Sequence, residues 1–378
     1  MRKLVGPLLA ATFAIGVTAN SAIADDHGPQ FTFGASSSFA YDFNRPSQAA
    51  QVSANTAPNR NYNRLGYASL EQDRSFNIDL LQLGITGQRG RLRYGATLDF
   101  GDLAKRAGDS LDGDLAVQTA WIGYDADPVG FTVGRVPTPI GFEVLEPWGR
   151  PNISSSYNWQ FQPVNHDGLT IQGGNDMVEL MIGIANTFTV ADDPINSLPA
   201  NDLNSNKSFF GSGNVAIADE LNLYVSGIVG NEIYSGVKTD VAMVNFIASG
   251  NFEVAGNTTL RYAAEFNGRH NDPQTGQGRL ARMWGVAAYL GGDFGPTGID
   301  LRYEYVDDGG ILFQEYAGGS EVQSFTATGS WAFVEGVEFR LEYRYNTSNN
   351  DIYAKKANTY SKDDQNIVQA QVVWYPEI

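Results

Sequence analysis

Residues Val337 to Tyr345 alternate without a break: Val337, Phe339, Leu341, Tyr343 and Tyr345 are apolar or aromatic, and Glu338, Arg340, Glu342 and Arg344 between them are charged. At the roughly 100° per residue of a helix the five apolar side chains would scatter around the axis, whereas at 180° they share one face. The segment is a strand with one apolar and one charged side. Any fold that contains it must supply apolar surroundings for the first and water for the second.

The same pattern recurs along the chain. It marks Phe31 to Phe43, where Ser37 alone breaks the apolar side, Leu92 to Phe100, Leu260 to Asn267 and Ile299 to Tyr305. Weaker alternation fills the gaps at Phe76 to Gly87 (with a phase slip at Leu80-Leu81 that predicts a β-bulge), Leu115 to Tyr124, Gly130 to Val136, Gly168 to Gly173, and Met177 to Ala185. It continues at Ser208 to Ala218, Leu221 to Val229, Thr239 to Ala248, Leu280 to Gly291, Gln323 to Phe333 and Asn366 to Trp374, which gives 16 strands. Seven short connections, such as Gln88-Arg89-Gly90 and Val334-Glu335-Gly336, alternate with eight long ones. An even number of antiparallel strands with short turns at one rim and long loops at the other is the pattern of a bacterial outer-membrane barrel.

A soluble sandwich or propeller would also alternate, but it would turn the charged face outward and use strands of about 5 or 6 residues. Here the strands reach nine or more and carry Tyr303, Tyr305, Tyr343, Tyr345, Trp331 and Trp374 near their ends, as the aromatic girdles of a membrane barrel require. The expected fold is therefore all-β, a 16-stranded antiparallel transmembrane barrel.

The N-terminus agrees with that destination. Arg2 and Lys3, the apolar run Leu4 to Ala19 and Ala22-Ile23-Ala24 read as a signal peptide, residues 1–24, leaving a single barrel domain over residues 25–378. No later window is long and apolar enough for a membrane helix. The chain has no cysteine, so stability must come from strand pairing and burial rather than disulfides. Without the signal, 23 basic residues face 42 acidic ones, a formal charge of −19, which repels phosphate and excludes nucleic acid as a partner.

If the apolar faces meet lipid, the charged faces line the lumen, because Arg or Lys on the lipid side near mid-membrane costs about 2 to 4 kcal/mol. Arg91, Arg93, Arg261, Arg302, Arg340 and Arg344 then line the inside, interleaved with Asp99, Glu179, Glu265, Asp300, Glu304, Glu338 and Glu342. Half or more of these charges can serve simply as cross-strand pairs. Sixteen strands leave an aqueous channel rather than a packed core.

Between the fifth and sixth strands lies the third long loop, Pro137 to Asp167, which has no period of 2 or 3.6. Pro137, Pro139, Pro147, Pro151 and Pro163 stiffen it, and it carries Glu143, Glu146, Trp148, Arg150, Tyr157, Trp159 and His166. A long loop without secondary structure is commonly functional. Its ends resemble the OmpL-like putative beta-barrel porin family: Gly134-Arg135 leads to Pro139-Ile140-Gly141-Phe142-Glu143, and Pro163-Val164-Asn165-His166-Asp167-Gly168 closes it. The match extends over about 35 residues and elsewhere only the architecture agrees. The resemblance implies a water-filled pore of a Gram-negative outer membrane, with the third loop folded into the lumen and narrowing it, frequently in a homotrimer. The implied partners are outer-membrane lipid and lipopolysaccharide, the barrel insertion machinery, and small hydrophilic solutes; no cofactor or metal is implied. The end Pro376-Glu377-Ile378 departs from the terminal aromatic that such barrels commonly present for insertion.

Two readings of the loop's charges stand side by side. Glu143 and Glu146, with Arg150, can face the wall arginines across the constriction and set a transverse field, or they can tie the loop down by bonding its amides or Arg150. Trp148, Tyr157, Trp159 and His166 fit loop anchoring better than sugar stacking or metal binding. Catalysis has little support: Ser154, Ser155, Ser156 and His166 lack any G-x-S-x-G, and Asp202-Leu203-Asn204-Ser205-Asn206 begins like a calcium loop but has Gly213 where a bidentate Glu belongs. The acidic loop Asp307 to Glu321 could hold divalent ions against lipopolysaccharide or stay solvated. Three functions remain: passive diffusion of small hydrophilic solutes and ions, selective uptake of oligosaccharides or dicarboxylates, and a non-conducting structural or adhesive barrel. If the field reading is right, neutralising Glu143 and Glu146 together lowers cation preference in single-channel reversal potentials; an unchanged ratio rejects it.

Overall fold

The computed structural model describes residues 28–46, 74–107, 115–188, 206–218, 220–234, 237–254, 258–273, 281–312, 319–355 and 359–375. The signal segment 1–24, His27, the end 376–378, most of the Asp202 segment and the middle of the Asp307 loop lie outside the described residues.

The strands are β1 (Gln30–Asp42), β2 (Phe76–Arg89), β3 (Leu92–Phe100), β4 (Leu115–Asp125), β5 (Val129–Pro137), β6 (Asn165–Gly174), β7 (Val178–Ala185), β8 (Ser208–Ala218) and β9 (Leu221–Tyr234). They continue as β10 (Val237–Val254), β11 (Thr258–Pro273), β12 (Ala281–Phe294), β13 (Thr297–Asp308), β14 (Ser320–Val334), β15 (Val337–Ser348), β16 (Tyr353–Lys355), β17 (Thr359–Lys362) and β18 (Asp364–Trp374). Sixteen of them close into one antiparallel barrel in which β1 pairs with both β2 and β18; β16 and β17 form a separate hairpin in the last long connection. Closure leaves no unpaired strand edge, which is what lets a sheet stand in hydrocarbon.

The alternation works as the sequence requires. On β15, Leu341 is 52% exposed while its neighbours Arg340 and Glu342 are buried. Large apolar side chains such as Ile182, Leu290, Ile299 and Trp331 are exposed around the outside, and the polar ones lie within. This is inverted relative to a soluble protein, whose exposed apolar patches are small. The phase slip in β2 is a bulge one residue earlier than its sequence signal: Ser36 pairs with Leu80 and Ser37 with Ile78, so Asp79 is the extra residue. Asp79 and Leu80 consequently both turn inward and are fully buried, as the two-for-one geometry of a bulge allows.

Leu341 stands near the middle of β15, so Leu341→Arg should destabilise the barrel by about 2 to 4 kcal/mol, as charge on a lipid-facing strand does. Reversible denaturant unfolding in bilayers, with Thr326→Arg avoided because that position faces inward, would read the loss.

Candidate functional site: a loop tied across the lumen

β5 ends at Pro137 and β6 begins at Asn165, and the segment between them runs within the ring of strands. Its partners lie on both sides of the barrel. On one side Gln82 of β2 and Gln118 of β4 donate to the Glu146 carboxylate, at 3.3 and 2.7 Å. On the other the loop meets the inward faces of β9 and β11 to β15. Tyr224 donates to the Pro139 carbonyl at 2.5 Å, and Glu265 accepts from the Phe142 amide at 3.0 Å and from Gln162 at 2.9 Å.

The densest contacts surround Glu143 and the three serines. Arg302 donates to Glu143 at 2.7 Å and to the Ser154 carbonyl at 2.7 Å, and stands 3.3 Å from Glu304. Arg344 donates to Glu304 at 3.1 Å and to the Ser155 carbonyl at 2.7 Å, with its guanidinium 4.7 Å from the Tyr157 ring. Glu342 accepts from the Ile153 amide at 2.6 Å and from the Ser154 hydroxyl at 2.5 Å. Glu304 accepts from the Tyr157 amide at 2.6 Å, and Glu143 from the Ser156 amide at 2.6 Å. Arg302, Arg344 and Glu304 are all without exposed surface. A buried ion pair of this kind repays its desolvation only when further hydrogen bonds satisfy both partners, and here loop carbonyls and amides supply them.

Local sequence explains how the loop presents those groups. Ser156 caps one helical turn, Tyr157–Gln160, by accepting from the Trp159 amide at 3.0 Å. Pro147 starts a 3₁₀ turn, Pro147–Gly149, whose Pro147 carbonyl and the Arg150 carbonyl both accept from Arg340, at 2.8 and 3.1 Å. Gly141 has φ +110, and a Cβ there would lie 2.0 Å from the Gln162 side-chain oxygen. Only glycine fits that turn.

The arrangement divides the residues singled out from the sequence. Glu143 both faces a wall arginine and, through that contact, ties the loop; Glu146 faces glutamines. Arg150 is buried at 2% exposure, without a side-chain hydrogen bond among the described residues, within electrostatic reach of Glu143 and Asp79. Of the six wall arginines, Arg302, Arg340 and Arg344 touch the loop. Arg91, Arg93 and Arg261 do not. Arg91 is exposed in the turn between β2 and β3, beyond the end of the alternation that placed it on an inward face. Arg93 forms a pair with Asp125 at 2.9 Å and Arg261 one with Asp300 at 3.0 Å, both close to the short-turn rim.

The loop aromatics are packed rather than presented. Trp148 lies over Gly34 of β1, where a Cβ would come within 2.3 Å of its ring, and against the cluster of Leu80, Leu103, Leu145 and Trp159. Arg106 stacks on Trp159 at 4.7 Å. The Tyr157 hydroxyl meets that of Tyr353 at 3.0 Å, so the β16–β17 hairpin packs onto the loop. His166 bonds Thr138 at 3.0 Å and stacks on Phe210 at 4.5 Å. Ser154 and His166 therefore have separate partners and do not form a Ser-His pair. Tyr224, Tyr353, the glycine seats and Tyr289, whose hydroxyl donates to Glu143 at 3.2 Å, were not singled out from the sequence; the run Ser154 to Ser156, three small residues between prolines whose backbone groups bond to the wall, is the one local signal of a docking segment.

Arg302→Met would strand Glu143 and Glu304 in a buried setting, at a cost of about 3 to 5 kcal/mol. The expected outcome is a lower unfolding temperature together with protease cleavage between Ser154 and Gln162 that the parent resists.

The architecture has many solved counterparts. An anion-selective porin from Comamonas acidovorans is 12% identical, with a TM-score of 0.61 over 93% of this chain and 100% of that one. OmpT of Vibrio cholerae, in a trimer form, is 12% identical with a TM-score of 0.55 over 93% and 100%. The outer-membrane channel DcaP of Acinetobacter baumannii is 11% identical with a TM-score of 0.55 over 93% and 97%. At these identities the likeness speaks for the fold alone. No curated protein sequence matches the chain. A family model does, over residues 35–374, nearly the whole described barrel. The chain belongs to the family described as "Putative beta-barrel porin-2, OmpL-like".

Proposed function

We propose that this barrel is a narrow, size-selective pore for small hydrophilic solutes and ions, with the third loop as its constriction. The family makes the chain an outer-membrane channel for passive diffusion of solutes, a channel rather than an enzyme. The observation that carries the narrower reading is the loop itself, which bridges the lumen from Glu146 on the β2–β4 side to the Arg302, Glu304, Glu342 and Arg344 cluster opposite. Asp42, Asp79, Asp99 and Gln365 also have no exposed surface, so at the level of the loop little of the wall's polar face is left to bulk water. A solute passing that level must be small or must displace part of the loop.

Glu143, Glu146 and Arg150, with Arg302, Arg340 and Arg344, form the constriction in this reading; Arg91, Arg93 and Arg261 shape the short-turn vestibule. Trp148, Tyr157, Trp159 and His166 anchor the loop. Their packing supports no sugar-stacking surface, and the wall arginines at the loop are already occupied by carboxylates and carbonyls, so no observation favours oligosaccharide or dicarboxylate selectivity. An export signal over residues 1–24, contact with lipopolysaccharide, delivery by the insertion machinery and assembly as a homotrimer complete the proposal.

Planar-bilayer recording of the purified protein tests it. The expected result is a small ohmic step that is insensitive to oligosaccharides and dicarboxylates. Block by one such solute transfers the reading to a selective channel, and absence of conductance rejects a pore.

A further inference from the structure

The inward face changes character toward the loop-side rim. Along β13 the inward residues run Asp300, Arg302, Glu304 and then Val306, and β14, coming back down, presents Val322 before Ser324, Thr326 and Thr328. Val306 and Val322 stand opposite each other in the register. Phe210 of β8, Ile228 of β9, Met243 of β10 and Met283 of β12 belong to the same apolar arc. The interior of a water-filled barrel is polar. An apolar arc one side-chain step above the level of Arg302 and Glu304 therefore has to face something other than water.

It faces the chain itself. Ile311 and Leu312, just beyond β13, and Ile352 and Tyr353, at the start of the β16–β17 hairpin, pack with these wall residues in one cluster. None of the four is more than 2% exposed. Tyr157 of the third loop, whose amide bonds Glu304 at 2.6 Å, joins the cluster from the charged level, and its hydroxyl meets that of Tyr353 at 3.0 Å.

Polar brackets at the rim aim these tips inward. The Asp308 carboxylate, at the end of β13, accepts from the Ile311 and Leu312 amides at 2.8 and 2.9 Å, a side-chain turn of the kind aspartate favours. The Gly309 amide donates to the Arg282 carbonyl on β12 at 2.6 Å. Asn350 donates to the Gly319 carbonyl at 2.9 Å, and Asn349 accepts from the Glu321 amide at 2.9 Å, which ties the approach to Ile352 onto the start of β14. These bonds use backbone and rim groups, and are separate from the arginines and glutamates that hold Glu143 and the three serines below.

Apolar tips seated on an apolar wall exclude water from the section they fill, and a dry apolar section is a barrier to ions and hydrophilic solutes. Withdrawing the tips exposes both surfaces to water, so the seated state is favoured in the absence of anything that covers them. Long loops of such a barrel lie on the external side. We infer that Ile311-Leu312 and Ile352-Tyr353 form an apolar plug that closes the external mouth, and that passage is regulated by withdrawal of this plug, in series with the third loop. The inference rests on the channel reading above and adds what opens and closes that channel.

The chain has no cysteine, so Val306→Cys places a single thiol beneath the plug. Intact cells carrying V306C are treated from outside with a charged, membrane-impermeant methanethiosulfonate, and Leu312→Ser and Ile352→Ser are each added separately to that background. Each removes one large apolar side chain from the plug, and the thiol should then react about tenfold faster than in V306C alone, as the closed-to-open ratio shifts by the loss of that burial. Heat-modifiable migration confirms that each barrel is folded, and if one double variant misfolds the other decides. A thiol that already reacts fully in V306C, or a rate that neither serine changes, overturns the plug. Planar-bilayer recording of the same proteins keeps the two readings apart. Silence of all of them rejects the pore while the thiol still decides the plug, and conduction with an unchanged thiol rate rejects the plug while the channel stands.

Discussion

A sheet in hydrocarbon cannot leave backbone N–H and C=O groups unpaired, and the rest of this structure follows from that constraint. It forces closure of β1 onto β18. Closure turns the alternating pattern inside out, so that Leu341 and its equivalents face outward and the arginines and carboxylates face in. A ring of sixteen strands is too wide for wall side chains to fill, and the third loop occupies the space.

Once inside, the loop faces the same requirement as any buried segment: its backbone polar groups must find partners. The wall charges serve that purpose. Arg302, Arg340 and Arg344 donate to loop carbonyls, and Glu265, Glu304 and Glu342 accept from loop amides. Charges that read as channel lining in the sequence are at this level fasteners of the third loop. Glu143 and Arg302 are bonded to each other, so a substitution at either one loosens the loop.

The walls are not equivalent around the ring. Tall strands with two aromatic belts on the β10 to β15 side are fitted to lipid, and these same strands carry the cluster that holds the loop. The low β5 to β7 wall lies at the loop's root, where Arg135 and Asp167 brace its two ends.

All sixteen barrel strands were legible in the sequence because a strand's side-chain period is local: two residues suffice to say inside or outside, and Phe339-Arg340-Leu341 says it at once. The bulge in β2 was legible for the same reason, since two adjacent apolar residues break the phase. The third loop was legible as a loop from its prolines, but its contacts were not. Ser154 meets Glu342 188 residues away in the chain and Glu143 meets Arg302 159 away; no local pattern encodes which charges face each other across a lumen. Arg302 and Arg93 look alike as members of alternating strands, yet one holds the third loop and the other pairs with Asp125 near the rim. The sequence by itself determined the period, the number of strands and the inverted faces, because those depend on neighbours two residues apart. Only the tertiary structure decided which charges became loop fasteners, because that depends on the height each strand reaches when the ring closes.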